Sequence, residues 1–152
     1  LKNILVARAF NSDHQMLLLD RVAELIKEGE PIKLMIIDSL TAHFRAEFSG
    51  RGQLADRQQR LNRYLHNLMK IAEMNNLAVY VTNQVMSDPA QMFGDPTKAI
   101  GGNIVGHACT YRMYLRRGKK DSRVCKLIDS PNLPDNETVF MIETGGLRDI
   151  EI

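Results

Sequence analysis

Cysteine is scarce in this sequence. The two present, Cys109 and Cys125, lie sixteen residues apart, form no Cys-x-x-Cys pair and have no histidine at ligand spacing. That pattern excludes a disulfide framework or a cysteine-bound metal as the organising feature and reads as two free buried thiols. No stretch reaches the length of a membrane span and no secretory leader is recognisable, so a cytoplasmic location is expected. Neither sign of charge dominates: a formal net charge of +2 leaves any nucleic-acid binding to a local patch, not to a uniformly basic body. Internal repeats and low-complexity segments are missing too, and there is no Gly-x-x-x-x-Gly-Lys-Ser/Thr run to cradle a phosphate. What is there, 44% apolar and 25% charged residues in a chain of 152, suits one soluble domain with a sizeable core.

Along the chain, Lys2–Arg8 predicts a strand. Asn11-Ser12 then opens a helix, with Ser12 and Gln15 at the spacing of a capping box and Leu17, Leu18, Val22, Leu25 and Ile26 forming an apolar face. Gly29-Glu30-Pro31 stops it. Residues 32–38, Ile-Lys-Leu-Met-Ile-Ile-Asp, read as a buried parallel strand that ends in a carboxylate. Strand, helix, strand predicts a right-handed parallel crossover. Thr41–Gln53 is a polar loop carrying Gly50-Arg51-Gly52, and a second helix is expected from Leu54 to about Asn76, with Leu54, Leu61, Leu65, Leu68 and Ala72 at helical spacing. Another strand closes on Tyr80-Val81-Thr82-Asn83-Gln84. Met86–Gly102 follows as an irregular segment with two Asp-Pro steps and Gly101-Gly102, too long for an ordinary connection and therefore either functional or mobile. The remainder predicts antiparallel hairpins: Thr110–Arg117, a turn at Gly118–Asp121, Arg123–Asp129, then Thr138–Glu143 and a Gly145-Gly146 turn.

Strand tips are where open α/β sheets bind ligands, and two of these tips are polar. An acid such as Asp38 can hold the Mg²⁺ of a nucleotide through water, although Asp also ends strands simply because it starts turns well. Gln84, a neutral amide, can meet a terminal phosphate or an ordered water, or can merely cap its strand. Arg51 between two glycines can grip a phosphodiester, or its loop is a solvated turn. Lys98 and Gly101-Gly102-Asn103 offer a backbone that phosphates can approach closely. Arg112, Arg116, Arg117, Lys119, Lys120, Arg123 and Lys126 make a basic hairpin whose turn lysines read as solvated. His107 lies on a short helical stretch beyond the second glycine loop, and a lone His is more often packed than catalytic. His14, His43 and His66 have no partners at metal spacing and receive no role.

Taken together, Ala7–Asn11, Leu34–Ser39, Ser49–Gly52, Arg57-Gln58-Gln59, Thr82–Val85, Gly101–His107 and Asp129–Pro134 closely resemble, in order and spacing, the ATPase core of the archaeal RadA and eukaryotic RAD-type recombinases, relatives of bacterial RecA. Met92–Pro96 looks more archaeal than bacterial. The resemblance implies an α/β fold: a RecA-like, mostly parallel sheet flanked by helices, with a C-terminal antiparallel β-hairpin extension and the N-terminal part of the core absent. Residues 1–152 are then the C-terminal portion of a single RecA-like ATPase domain.

It also implies roles and partners. Asp38 matches the acid that holds Mg²⁺ through water, and Gln84 the residue that senses the γ-phosphate of ATP. Phe48–Leu54, with Gly50, Arg51 and Gly52, matches the first DNA-binding loop. Met86–Gly102, with Lys98, Gly101, Gly102 and Asn103, matches the second. His107 matches a residue near the γ-phosphate, and Asp129, Ser130, Pro131 and Pro134 match the cap laid over ATP by a neighbouring protomer. Leu5, Ala7, Leu18, Val22 and Leu25 match a groove for a Phe-x-x-Ala peptide. The implied protein is a cytoplasmic, nucleoid-associated, DNA-dependent ATPase that exchanges strands, binds single- and double-stranded DNA and self-assembles into filaments, with no membrane partner. This segment alone, lacking the phosphate loop, is expected to be inactive. The alternative is a non-catalytic recombinase paralogue, or a peptide-binding interaction module of the same fold.

Overall fold

The computed structural model of the chain describes residues 2–87 and 97–150. Lys2–Arg8 is not a strand: Lys2 and Asn3 form a turn and residues 4–10 have no regular structure. Ile4, Leu5 and Val6 are exposed, Val6 by 89%, and an apolar run becomes a strand only when another strand pairs with it. Helix α1 (Ser12–Lys27) starts at a different cap from the one the spacing predicts. Asn11 is the cap, its side chain accepting the His14 N–H at 2.7 Å. Ser12 is instead buried, its N–H and hydroxyl both donating to the carboxylate of Glu47, thirty-five residues away. Gln15 is buried as well, donating to the Leu40 carbonyl at 3.3 Å. The deepest face of α1 is therefore Ser12, Gln15 and Leu19. Leu17 points to solvent, and Leu18, Val22, Leu25 and Ile26 are half-buried beside the core. At its end Gly29, with φ of +102°, lets the Gly29 and Glu30 N–H groups return to Ile26 and Leu25, a turn that glycine allows without strain.

β1 (Leu34–Ile37) pairs in parallel with β2 (Ala78–Val81), Leu34 opposite Ala78 and Ile37 opposite Val81. The crossover runs through α2 (Ala42–Glu47), a 3₁₀ turn (Arg51–Gln53) and α3 (Leu54–Asn75). The polar stretch 41–53 is thus mostly helical, because Phe44 finds a buried seat that its polar neighbours conceal. The expectation for α3 holds to within a residue. Leu61, Tyr64, Leu65 and Leu68 form its buried stripe, and Asn76 ends it at a φ of 48°, a left-handed conformation that Asn tolerates. Leu54, read as part of that stripe, is exposed. Contrary to the expectation of full burial, the parallel pair has one face half-buried (Met35, Ile37, Val79, Val81), while Leu34, Ile36 and Tyr80 on the other are exposed.

β3 (Val85–Ser87) and β4 (Thr97–Ala99) pair antiparallel, so the ends of the segment read as irregular are a ladder; residues 88–96, including all of Met92–Pro96, lie outside the described residues. α4 (Gly102–Ala108) follows. The chain divides into two compact units, Leu1–Val105 and Gly106–Ile152. In the second, β5 (Arg112–Arg117), β6 (Arg123–Asp129), β7 (Asn136–Glu143) and β8 (Gly146–Asp149) form a four-stranded antiparallel meander, the predicted hairpin extension.

The β5–β6 turn gives a test of local backbone chemistry. Lys120 and Asp121 have φ of 49° and 60°, and Ser122 N–H returns to the Lys119 carbonyl at 3.1 Å, a type I′ arrangement that prefers Asn-Gly. Lys120→Asn with Asp121→Gly is expected to raise stability by about 0.5–1 kcal/mol, less than the left-handed penalty alone because glycine frees the unfolded chain. The urea midpoint measures it, and an unchanged or lower midpoint contradicts it.

Candidate functional site

The two polar strand ends lie side by side. Because Ile37 is opposite Val81, Asp38 and Thr82 extend the parallel pair, and the Thr82 hydroxyl donates to Asp38 Oδ1 at 2.6 Å. Thr82 also fastens the backbone on both sides of that acid: its N–H donates to the Ile37 carbonyl at 3.0 Å and its carbonyl accepts from Leu40 at 2.9 Å. The peptide bond between Asp38 and Ser39 is cis. Asp38 is exposed, held by one oxygen on a rigid strand end, an arrangement suited to water-mediated contact with a hard cation.

Gln84 is exposed at the neighbouring tip. Its carbonyl accepts the Ile100 N–H at 2.9 Å, which closes the β3–β4 ladder directly onto it. Asn83 turns inward, as alternation from Val79 and Val81 requires. Its Oδ1 accepts from the Thr41 hydroxyl at 2.8 Å and from Gln84 N–H at 3.0 Å, while its Nδ2 donates to the Ile100 carbonyl at 2.5 Å. Gly101 and Gly102 follow with φ of +97° and +60°. A Cβ on Gly101 would come within 2.5 Å of the Val105 side chain and 3.4 Å of Leu61, so glycine seats the end of this segment against α3. Lys98 lies on β4 opposite Met86, and Asn103 on α4.

In the first loop, Gly50 precedes the 3₁₀ turn that begins at Arg51, and both Gly50 and Gly52 are exposed. The root of the loop is pinned from two helices. Arg57 donates to the Phe48 carbonyl at 3.3 Å, and Arg60 lies 5.3 Å over the Phe48 ring while bridging to Asp13 of α1 at 2.7 Å. Of the residues that hold this site together, Thr41, Glu47 and Arg60 carry no local signal, since each acts on a residue far away in sequence. Asn83 does carry one, the period-two alternation of its own strand.

The other predicted residues lie on other elements of the chain. On α1, Leu18, Val22 and Leu25 are half-buried at successive turns, while Leu5 and Ala7 are exposed on the preceding segment. In the second unit, His107 is exposed in the last turn of α4. Asp129 ends β6 with Arg112 at 3.7 Å. Ser130 Oγ accepts the Leu133 N–H at 2.9 Å and the Asn132 N–H at 3.3 Å, which folds Ser130–Pro134 into a compact turn. Cys109 and Cys125 are free and half-buried. Burial pushes the Cys109 thiol up, Arg112 opposes this and Asp129 adds to it. In the basic hairpin, Arg116 reaches Glu137 at 3.5 Å. Among the described residues no group of three or more His, Cys, Asp or Glu is placed to hold a metal ion, and no helix is long and apolar enough to cross a membrane.

Similar proteins match nearly the whole of this chain. The Rad51 family model matches residues 1–150. Curated proteins named DNA repair and recombination protein RadA are 58% identical in Methanocorpusculum labreanum and 55% identical in Halobacterium salinarum, each over 97% of this chain, covering 46% and 44% of those proteins. The RadA of Methanoculleus marisnigri is 55% identical, with 47% of its length covered. The chain therefore spans about half the length of the curated relatives it matches. A family match that runs from residue 1 to residue 150, together with identity above half to these RadA proteins, places the assignment beyond fold resemblance: the chain belongs to the Rad51 family.

Proposed function

We propose that these 152 residues are the C-terminal portion of a single RecA-like ATPase domain. The full-length protein is then an ATP-dependent DNA strand-exchange recombinase that assembles into filaments on single-stranded DNA during homologous recombination and repair. The observation that carries the reading is the junction at Gln84. One residue sits beside the Asp38 tip and also closes, through its carbonyl and Ile100, the ladder leading into the second glycine loop. A group that sensed a terminal phosphate there would be linked to both ends of the loop, by the chain through Val85 and by the hydrogen bond from Ile100.

Asp38 fits the Mg²⁺ of bound ATP as a ligand through water, because its carboxylate is exposed and aimed by Thr82. Bound Mg²⁺ supplies charge neutralisation at the phosphates. Gln84 and His107 address the γ-phosphate, and Asp129, Ser130, Pro131 and Pro134 form the cap that one protomer offers its neighbour's nucleotide. Gly50, Arg51 and Gly52, with Lys98, Gly101, Gly102 and Asn103, take the phosphodiester backbone of single- and double-stranded DNA. Leu5, Ala7, Leu18, Val22 and Leu25 receive a Phe-x-x-Ala peptide from the next protomer or a regulator. The protein works in the cytoplasm at the nucleoid, without a membrane.

Arg51→Ala in the full-length protein tests the DNA reading. The residue stands between exposed glycines, so the stability change is expected to stay within ~0.5 kcal/mol. Affinity for single-stranded DNA should fall, and the log–log salt slope should flatten by roughly 0.7 for one lost phosphate contact. Unchanged affinity and slope remove the first loop from the DNA site. Absence of DNA-stimulated ATP hydrolysis in the unaltered protein would favour the non-catalytic paralogue instead.

A further inference from the structure

Gln84 reaches the second loop; among the described residues none of its hydrogen bonds reaches the first. The side chain next to it reaches the roots of both. Asn83 is half-buried between Thr41, 42 residues earlier in the chain, and Ile100, 17 residues later. Thr41 is 2% exposed and stands immediately before α2, the helix that leads to Phe48 and the Gly50–Gly52 loop. Its hydroxyl makes no cap bond to that helix and is spent on Asn83. Ile100 is buried and immediately precedes Gly101 and Gly102. One amide thus holds the start of the first loop segment, the start of the second through Gln84 N–H, and the end of the second through the Ile100 carbonyl.

The chemistry of the three contacts selects an amide. Two donors converge on Oδ1 and one acceptor faces Nδ2, so the side chain must accept twice and donate once within a single planar group. A carboxylate keeps the acceptor but turns a second oxygen toward the Ile100 carbonyl. An apolar isostere leaves the buried Thr41 hydroxyl without its partner.

We propose that Asn83 is a positioning residue that couples the two glycine loops, so that they engage DNA as one unit and not as two independent contacts. This rests on the reading that both loops bind DNA. Asn83 touches neither DNA nor nucleotide in this role; it acts by fixing the loop roots to each other.

The experiment uses the full-length protein with ATP, Mg²⁺ and a fluorescently labelled oligothymidylate, and measures affinity by anisotropy. Arg51→Ala and Lys98→Ala are made singly and together in three backgrounds: unaltered, Asn83→Asp and Thr41→Val. In the unaltered background the double variant should lose less affinity than the product of the single losses, by at least about threefold, since a unit broken once has less to lose the second time. In the Asn83→Asp and Thr41→Val backgrounds the two losses should multiply. A merely structural defect would lower affinity or the thermal midpoint without restoring that multiplication. Thr41→Val removes one hydroxyl at nearly constant volume, so it decides the matter if Asn83→Asp does not fold. The inference is overturned if the losses already multiply in the unaltered protein, or if the shortfall persists in Thr41→Val. If neither Arg51→Ala nor Lys98→Ala changes the affinity of the unaltered protein, the DNA reading of the loops fails first and the coupling fails with it.

Discussion

Asp38→Asn in the full-length protein is expected to lower Mg²⁺-dependent ATP hydrolysis by about 10²–10³-fold, the loss typical of removing one preorganised group from a site of developing charge. The fold should survive the change. Asparagine keeps an oxygen where Oδ1 now accepts the Thr82 hydroxyl at 2.6 Å, and the backbone bonds from Thr82 to Ile37 and Leu40 do not involve the side chain. What disappears is the negative charge, and with it the strength with which the group holds the waters of a hard cation. Gln84→Ala is the companion measurement. ATP affinity should stay nearly intact, because a neutral exposed amide contributes little to holding a polyphosphate, whereas ATP-stimulated DNA binding should fall sharply. Equal loss of ATP binding in both variants would make Gln84 a structural residue only. Full ATP stimulation in Gln84→Ala would move the link to the second loop elsewhere, with His107 the next residue to test.

Phe44→Ala is expected to cost about 3–5 kcal/mol of stability, from lost transfer energy plus the cavity left behind. Phe44 is 1% exposed, and its ring centroid lies 5.9 Å from that of Tyr64 at a tilt of 45°, among the equally buried Leu40 and Leu61. Leu40, two positions from the ordered start of α2, is itself anchored through its backbone to Thr82 and Gln15, which limits collapse of the backbone there. Natural domains carry only about 5–15 kcal/mol in total, so this one change removes a large share. Met74→Ala, at a residue 73% exposed on α3, is the control and should stay within ~0.5 kcal/mol. A shift in urea midpoint for Phe44→Ala no larger than the Met74→Ala shift would show that α2 is not part of the core. Because α2 leads into the first loop, DNA binding should fall together with stability.

Several elements follow from local pattern alone. The recurrence of Leu61, Leu65 and Leu68 at helical spacing marks α3, and the apolar runs ending at Asp38 and Gln84 mark two parallel strands with polar tips. The antiparallel meander is legible because turn residues interrupt its strands at regular intervals. Periodicity and turn chemistry act over a few residues, and these features need nothing more. For the same reason the period of β2 already turns Asn83 inward.

Tertiary structure alone decided the rest. Lys2–Arg8 has strand composition but no partner strand among the described residues, and the ladder, not composition, makes a strand. Ser12 and Gln15 satisfy a local capping pattern, yet Glu47 and the Leu40 carbonyl outbid it, and they arrive from another helix and another strand end. The polar run after Thr41 contains a helix because Phe44 is buried against Tyr64 of α3. That Asp38 meets Thr82, and that one Asn83 amide meets both Thr41 and Ile100, depends on the register of β1 against β2. The residue types of the site are written in the chain; which of them touch is set by long-range burial and pairing, whose energies no local window contains.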